Sequence, residues 1–263
     1  MNTYIQTSRR KVFFRTTPLW MAVVNATPDS FSDGGREDII GHAVKLIRDG
    51  ADILDVGGES TRPGALPVPV DEEIARITPV IRGIFAKCKA ESLSVPPLSV
   101  DTRNPETACV ALHEGVEILN DITGGEHPKM QELALSSGAA LCFMHMQGNP
   151  RIMQENPHYE NVVKEVFTYL SLQRDTLLQY GLRPEQLIAD PGIGFGKTAE
   201  HNLEILWNIE YFKHLNLPLL VGHSRKRFLD VLGPDREVQT EKISRWLAEK
   251  KVEILRLHTR PKF

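Results

Sequence analysis

The sequence predicts an α/β fold, specifically a single closed (β/α)8 TIM barrel. Three observations carry that expectation. Between residues 19 and 258, short apolar runs rich in Val, Ile and Leu alternate with longer amphipathic segments, as the strands of a parallel sheet alternate with crossover helices. Eight such runs occur, the number that closes a barrel. The length of 263 residues suits one barrel, a unit that runs to about 250 residues. No internal repeat, low-complexity tract or linker divides the chain. Residues 1–18 therefore read as an N-terminal extension and 19–263 as one barrel domain.

The first strand is read at LWMAVVNAT (19–27), followed by the polar loop NATPDSFSDGG (25–35) and a charged helix start. The second is DILDVGG (52–58); after it come the loop GGESTRPGA and the helix DEEIARITPVIRGIFAKCKA, whose acidic first turn suits a helix N-terminus. PLSVDT (97–102), EILNDI (117–122) and ALCFMH (140–145) are the next three strands. The segment NVVKEVFTYLSLQRDTLLQYGLRPEQ then reads as a helix stopped by Gly181. LIADPG (187–192), PLLVGHS (218–224) and VEILRLH (252–258) complete the set.

Composition narrows the function. Thirty-one basic and 34 acidic residues give a formal charge of −3, without the basic stripe that neutralises a nucleic-acid backbone. Cys88, Cys109 and Cys142 show no CxxC spacing and an odd count, as expected of reduced structural thiols rather than a disulfide frame or a zinc site. No apolar run approaches the roughly 20 residues of a membrane helix, and the N-terminus lacks a signal-peptide core. These features predict a cytoplasmic protein that binds neither nucleic acid nor membrane.

Nearly every predicted strand stops on polar groups: Asn25, Asp55, Asp101, Asn120 with Asp121, His145, Asp190, Ser224, and Arg256 with His258. One polar strand end is unremarkable, but eight in register predict a pocket at the C-terminal mouth of the barrel. Asp101, Asn120 and Asp190 would supply carboxylates and an amide to a flat heterocycle rich in N–H donors, with Lys226 and Arg256 balancing the charge. GIGFGKT is not a phosphate-binding P-loop, because position 191, where that pattern needs glycine, is Pro191. The glycines at 192, 194 and 196 instead let backbone approach a planar ligand, with Phe195 alongside.

NATPDSFSDGG, DVGGESTRPGA (55–65), SVDT (99–102), NDITGG (120–125), MHMQGNP (144–150), DPGIGFGK (190–197) and HSRKRF (223–228) together closely resemble the motifs of the dihydropteroate synthase family, in that family's order. The resemblance covers about residues 19 to 258. It implies a TIM barrel, usually a homodimer. The implied reaction joins 6-hydroxymethyl-7,8-dihydropterin pyrophosphate to p-aminobenzoate and releases pyrophosphate, with Mg2+ as cofactor. Carried over residue by residue, it implies a pterin pocket of Asp101, Asn120, Asp190, Lys226 and Arg256, walled by Met144, Gly222 and Phe195. It implies that Asn25, Arg256 and His258 meet pyrophosphate, that Asn25 also ligates the metal, and that Asn25, Lys226, Arg256 and His258 serve catalysis. The first two βα loops would be lids that bring Phe31, Asp33, Thr61, Arg62 and Pro63 to p-aminobenzoate, whose carboxylate would lie near a helix starting after Ser224.

The chain departs from the family at its end. It reads RLHTRPKF where the family continues R-V-H-D-V into a last helix, so the fold is expected to be a barrel lacking that eighth helix, with Thr259 in place of an aspartate. Fusion to an upstream pterin pyrophosphokinase is an accompanying expectation. Two alternatives are weighed. A folate-to-corrinoid methyltransferase would not carry SFSDGG and STRPGA, and a non-catalytic or truncated pterin-binding barrel is suggested only by the missing helix.

Overall fold

In the computed structural model, which describes residues 3–27, 35–60 and 64–262, the chain begins with an antiparallel pair, β1 (Tyr4–Gln6) and β2 (Lys11–Phe13). The barrel strands follow. They are β3 (Leu19–Asn25), β4 (Ile53–Gly57), β5 (Leu98–Asp101), β6 (Ile118–Asp121), β7 (Ala140–Met144), β8 (Leu187–Asp190), β9 (Leu220–Val221) and β10 (Ile254–Leu257). All pair in parallel, in the order β8-β7-β6-β5-β4-β3-β10-β9. A parallel bridge from Ala189 to Leu219 joins the two ends and closes the ring.

Between the strands lie α1 (Gly35–Arg48), α2 (Val70–Ala90), α3 (Pro105–His113), α4 (Pro128–Ser137), α5 (Val162–Tyr180), α6 (Ala199–Trp207) and α7 (Arg236–Glu249). Helix α5 starts and stops as its sequence predicts. The Asn161 side chain accepts a hydrogen bond from the Lys164 amide, and Gly181 ends the helix at φ 116°, a conformation costly for any residue with a Cβ. Residues 258–262, after β10, are not helical. Every predicted strand is present but runs shorter at its C-terminal end; the seventh keeps only Leu220–Val221 of 218–224. The polar residues that close each run leave the sheet to form the mouth.

Side chains alternate across each strand, so the sheet divides the core in two. Leu54, Val56, Val100, Leu119, Phe143, Ala189 and Leu255 point outward and pack under the helices. Leu19, Met21, Ile53, Ile118, Ala140, Cys142, Ile188, Leu220 and Ile254 point inward and fill the lower barrel. The N-terminal hairpin, for which the sequence reading assigned no elements, closes this end. Ile5 is fully buried in the inner cluster. Thr7 Oγ1 donates to Glu117 Oε2 at 2.7 Å, and the Arg10 guanidinium sits 2.8 Å from Glu117 Oε1, which fastens the hairpin to the strand-entry side of β6. Burying one isoleucine is worth about 1.5–3 kcal/mol, enough to make a three-residue strand worthwhile.

Candidate active site

The apolar floor fixes what lies above it. Two residues beyond each inward floor position, the chain points inward again: Ile53 is followed by Asp55, Ile118 by Asn120, Cys142 by Met144, Ile188 by Asp190, Leu220 by Gly222, and Ile254 by Arg256. Ser99 and Asp101 do the same on β5. The period of two thus turns an aliphatic floor into a polar ring at the C-terminal mouth, where barrel enzymes hold their ligands.

Arg256 is the hub of that ring. Its Nε donates to Asp55 Oδ2 at 2.7 Å and its Nη2 to Asp101 Oδ2 at 2.6 Å, while Asn120 Nδ2 donates to the same Asp55 Oδ2 at 3.0 Å. Burial pushes the Asp101 carboxyl up to about 7 against the pull of Arg256, with the Asp55 charge pushing the same way as burial. Burial disfavours the Arg256 charge too, but Asp55 and Asp101 outweigh it and hold the guanidinium above its ordinary value. Asp101 Oδ1, Asp55 Oδ1 and Ser99 Oγ are buried without a hydrogen-bond partner among the described residues. Buried acceptors of this kind suit a ligand that brings its own N–H donors.

The second wall is the segment after β8. Asp190, raised above the ordinary carboxylate range by burial, accepts from the Gly192 amide at 2.7 Å. Gly192 has φ 69°, and a Cβ there would lie 1.9 Å from the His145 carbonyl oxygen, so only glycine lets this turn lie against the end of β7. Lys226 donates to the Ile193 carbonyl and places its ammonium 4.5 Å from the centre of the Phe195 ring; burial lowers it to about 8. Met144 and Gly222 follow the inward-facing Cys142 and Leu220 on the same strand face, and Phe195 lies beside Lys226.

Asn25 is half-buried at the end of β3. Ser224 Oγ lies 2.9 Å from His258 Nδ1, which brings together two residues that the sequence reading had given to different substrates. The helix expected after Ser224 is a short 3-10 helix rather than an α-helix. The chain passes through Arg225 at φ 59° into a short 3-10 helix, Arg227–Val231, and α7 begins only at Arg236. A five-residue 3-10 helix has a smaller aligned dipole than an α-helix would bring to that point. Phe31, Asp33, Thr61, Arg62 and Pro63 lie outside the described residues.

Two strand-end residues do not join the pocket. Asp121 and His145 follow the inward-facing Asn120 and Met144, so alternation turns them outward. Asp121 is spent on its own loop, accepting from Thr123 N and Oγ1 and from Gly125 N. His145 packs edge-on against Tyr169, 5.0 Å between ring centres, and meets Lys197 Nζ at 3.0 Å. Burial lowers Lys197 to about 7; in its ammonium form it has no acceptor, so Nδ1 accepts from it and the neutral ring carries its proton on Nε2. Burial, then Lys197, pushes His145 down to about 3, consistent with that form. Conversely, Asp55 counts among the polar strand ends but carries no ligand assignment from sequence, although its spacing from Ile53 puts it on the inner face.

A closed parallel barrel with a buried carboxylate–amide–guanidinium ring at its mouth defines a barrel enzyme built to hold a planar, nitrogen-rich ligand. The sequence pattern of the pterin binding enzyme family matches residues 21–258. The chain belongs to that family and, within it, to the dihydropteroate synthases. It is 44% identical over 228 residues to the dihydropteroate synthase of Escherichia coli strain K12, covering 84% of this chain and 79% of that one. Its fold is similar to that of the Xanthomonas albilineans dihydropteroate synthase solved with 4-aminobenzoic acid, at a TM-score of 0.87 and 34% identity, covering 97% of this chain and 93% of that one. The same enzyme solved with 7,8-dihydropteroate matches at a TM-score of 0.83 and 32% identity, over 96% and 92% of the two chains. Among the described residues no helix is long and apolar enough to cross a membrane.

Proposed function

We propose that this barrel joins 6-hydroxymethyl-7,8-dihydropterin pyrophosphate to p-aminobenzoate, with the pterin edge in the Asp101–Asn120–Asp190 ring. The observation that carries the reading is Asp101. One carboxylate oxygen is held by Arg256 while the other is buried with no hydrogen-bond partner among the described residues, an acceptor prepared for a heterocyclic N–H. Loss of pyrophosphate leaves a cation delocalised from the methylene into the electron-rich dihydropterin, so no covalent nucleophile is required. Asp101 and Asp190, ionised by ligand N–H donors, stabilise that positive charge. Arg256 and His258 hold the departing anion, with Ser224 fixing the His258 ring through Nδ1. Lys226 and Phe195 wall the pterin face. The loops carrying Phe31, Asp33, Thr61, Arg62 and Pro63 receive p-aminobenzoate and keep out water, the competing nucleophile.

Mg2+ fits the donor chemistry at Asn25. Among the described residues there is no group of three or more His, Cys, Asp or Glu that could hold a metal. Mg2+ characteristically retains several waters and binds substrate phosphates, so one hard amide oxygen is a sufficient protein contribution. When bound it withdraws charge from the leaving pyrophosphate. A homodimer is supported by apolar side chains exposed around α6 and α7, notably Trp207, Val231 and Val238, and sedimentation velocity tests it. Fusion to a pterin pyrophosphokinase is tested by the mass of the native polypeptide.

The deciding experiment supplies the purified chain with Mg2+, the pterin pyrophosphate and p-aminobenzoate, and follows dihydropteroate by mass spectrometry together with pyrophosphate. Matching yields of both support the reading; pterin binding without product refutes the catalytic assignment.

A further inference from the structure

We propose that Lys197 is a positioning residue for the pterin pocket: its ammonium holds the turn after β8 by the Gly192 and Phe195 carbonyls and so fixes the Asp190 carboxylate and the Phe195 ring. The inference rests on the pocket reading above. Lys197 is 2% exposed and is not placed to touch a ligand. Its three N–H bonds are accounted for within the protein, by Gly192 O at 2.9 Å, Phe195 O at 3.0 Å and His145 Nδ1 at 3.0 Å, with His145 O at 3.4 Å as a fourth neighbour. The peptide groups it gathers belong to the turn that carries the site. Gly192 gives its carbonyl to Lys197 and its amide to Asp190 Oδ1, so the lysine and the carboxylate grip one residue from its two ends.

The neighbouring groups leave this lysine with no other task. Asn202 Oδ1 accepts from the Gly194 amide, the Tyr159 hydroxyl donates to Gly196 O, and Lys226 donates to Ile193 O, so these three further peptide groups of the turn have holders of their own. A buried ammonium is costly to desolvate, and an apolar side chain of similar length would commonly serve stability as well or better. What an apolar side chain cannot do is orient three acceptors at once. Gly192 and Gly196 press against the backbone of β7's exit, where added Cβ atoms would meet His145 O at 1.9 Å and Gln147 O at 2.4 Å. The turn therefore has little freedom except to rotate its peptides, and that is the freedom Lys197 removes.

The test is a double-mutant cycle read by calorimetric binding of the pterin pyrophosphate, with the Michaelis constant for p-aminobenzoate measured alongside. Lys197→Met is expected to weaken pterin binding by about 10- to 100-fold, the penalty of a misplaced site group, while the p-aminobenzoate constant stays within about twofold. In an Asp190→Asn background the same substitution is expected to change pterin affinity less than about threefold, because its effect passes through Asp190. Full additivity of the two substitutions, or pterin affinity unchanged in Lys197→Met while Asp190→Asn weakens it, would overturn the positioning role. Unchanged affinity in Asp190→Asn itself would overturn the pocket reading and this inference with it. Should Lys197→Met not fold, Lys197→Gln, which keeps two donors at shorter reach, is judged by the same comparisons.

Discussion

Asp55 offers the sharpest test of the ring, because two substitutions there make different predictions. Both of its hydrogen bonds end on Oδ2, at 2.7 Å from Arg256 Nε and 3.0 Å from Asn120 Nδ2, while Oδ1 is buried without a partner. Asparagine can place its carbonyl oxygen where Oδ2 stands and its amide where Oδ1 stands, and so keep both bonds. It gives up the charge and replaces one unpartnered buried acceptor with an unpartnered donor. The Arg256 bond keeps its charged donor, so only the Asn120 bond passes from the charged class, about 1.5–3 kcal/mol, to the neutral class, about 0.5–1.5, and Asp55→Asn should lower stability by about 1–2 kcal/mol. Alanine instead leaves Asn120 without its acceptor and removes one of two carboxylates from a guanidinium that is 21% exposed. Breaking a buried ion pair from one side typically costs 3–5 kcal/mol, and since Asp101 keeps its half of Arg256 we expect about 3. Urea denaturation followed by circular dichroism measures both. Equal losses for Asn and Ala, or a loss under about 1 kcal/mol for Ala, would refute the view that Asp55 anchors Arg256.

The other predictions use different observables. Between the unfolded carboxyl value of about 4 and the folded value of about 7, Asp101 binds more protons when folded, so its contribution to stability falls as pH rises through that window. Pterin N–H donors favour the ionised form, so binding at pH 6 should release close to one proton, seen as buffer-dependent heat in calorimetry; heats independent of the buffer would contradict it. Gly192→Ala should cost more than about 2 kcal/mol of thermal stability, since its Cβ meets the His145 carbonyl, whereas Gly64→Ala, at φ 81° with open space around it, should cost only about 1. The reverse order would refute the packing argument. Ile5→Ala should remove about 2–5 kcal/mol of stability by opening a cavity in the barrel floor while leaving pterin affinity within twofold; a matching loss of affinity would mean that the hairpin acts on the mouth.

The barrel was legible from sequence because its main signal is local. Runs such as ILDVG and ALCFM are apolar along their whole length, as strands buried on both faces must be, and glycines such as Gly181 mark helix ends through backbone conformation alone. The hairpin was not legible. YIQ and KVF are three-residue strands whose stability comes from Ile5 entering a floor built by residues up to 249 positions away, from Leu19 to Ile254, and nothing local announces that. The delay and 3-10 form of the helix after Ser224 were hidden for a related reason: Arg225 adopts a left-handed φ that its sequence neighbours do not demand, while its amide donates to Thr240 Oγ1, fifteen residues on.

The site was readable to the level of which strand ends matter, and less so at the level of which side chain of a pair faces in. Asn120 and Asp121 are equally polar, and resemblance names the ligand-facing member without explaining it. The explanation is register. Ile118 and Ile188 occupy the floor, so Asn120 and Asp190 must face the mouth, and Asp121 must serve the loop. The same rule promotes Asp55 to the ring and sends His145 outward to Lys197. A floor residue therefore controls chemistry two positions away: a one-residue shift of β6 would exchange an amide at the barrel mouth for a carboxylate that now serves Thr123 and Gly125. The inner aliphatic cluster thus sets the charge of the pocket as well as the stability of the barrel, which is why its register must be as well determined as the active-site side chains themselves.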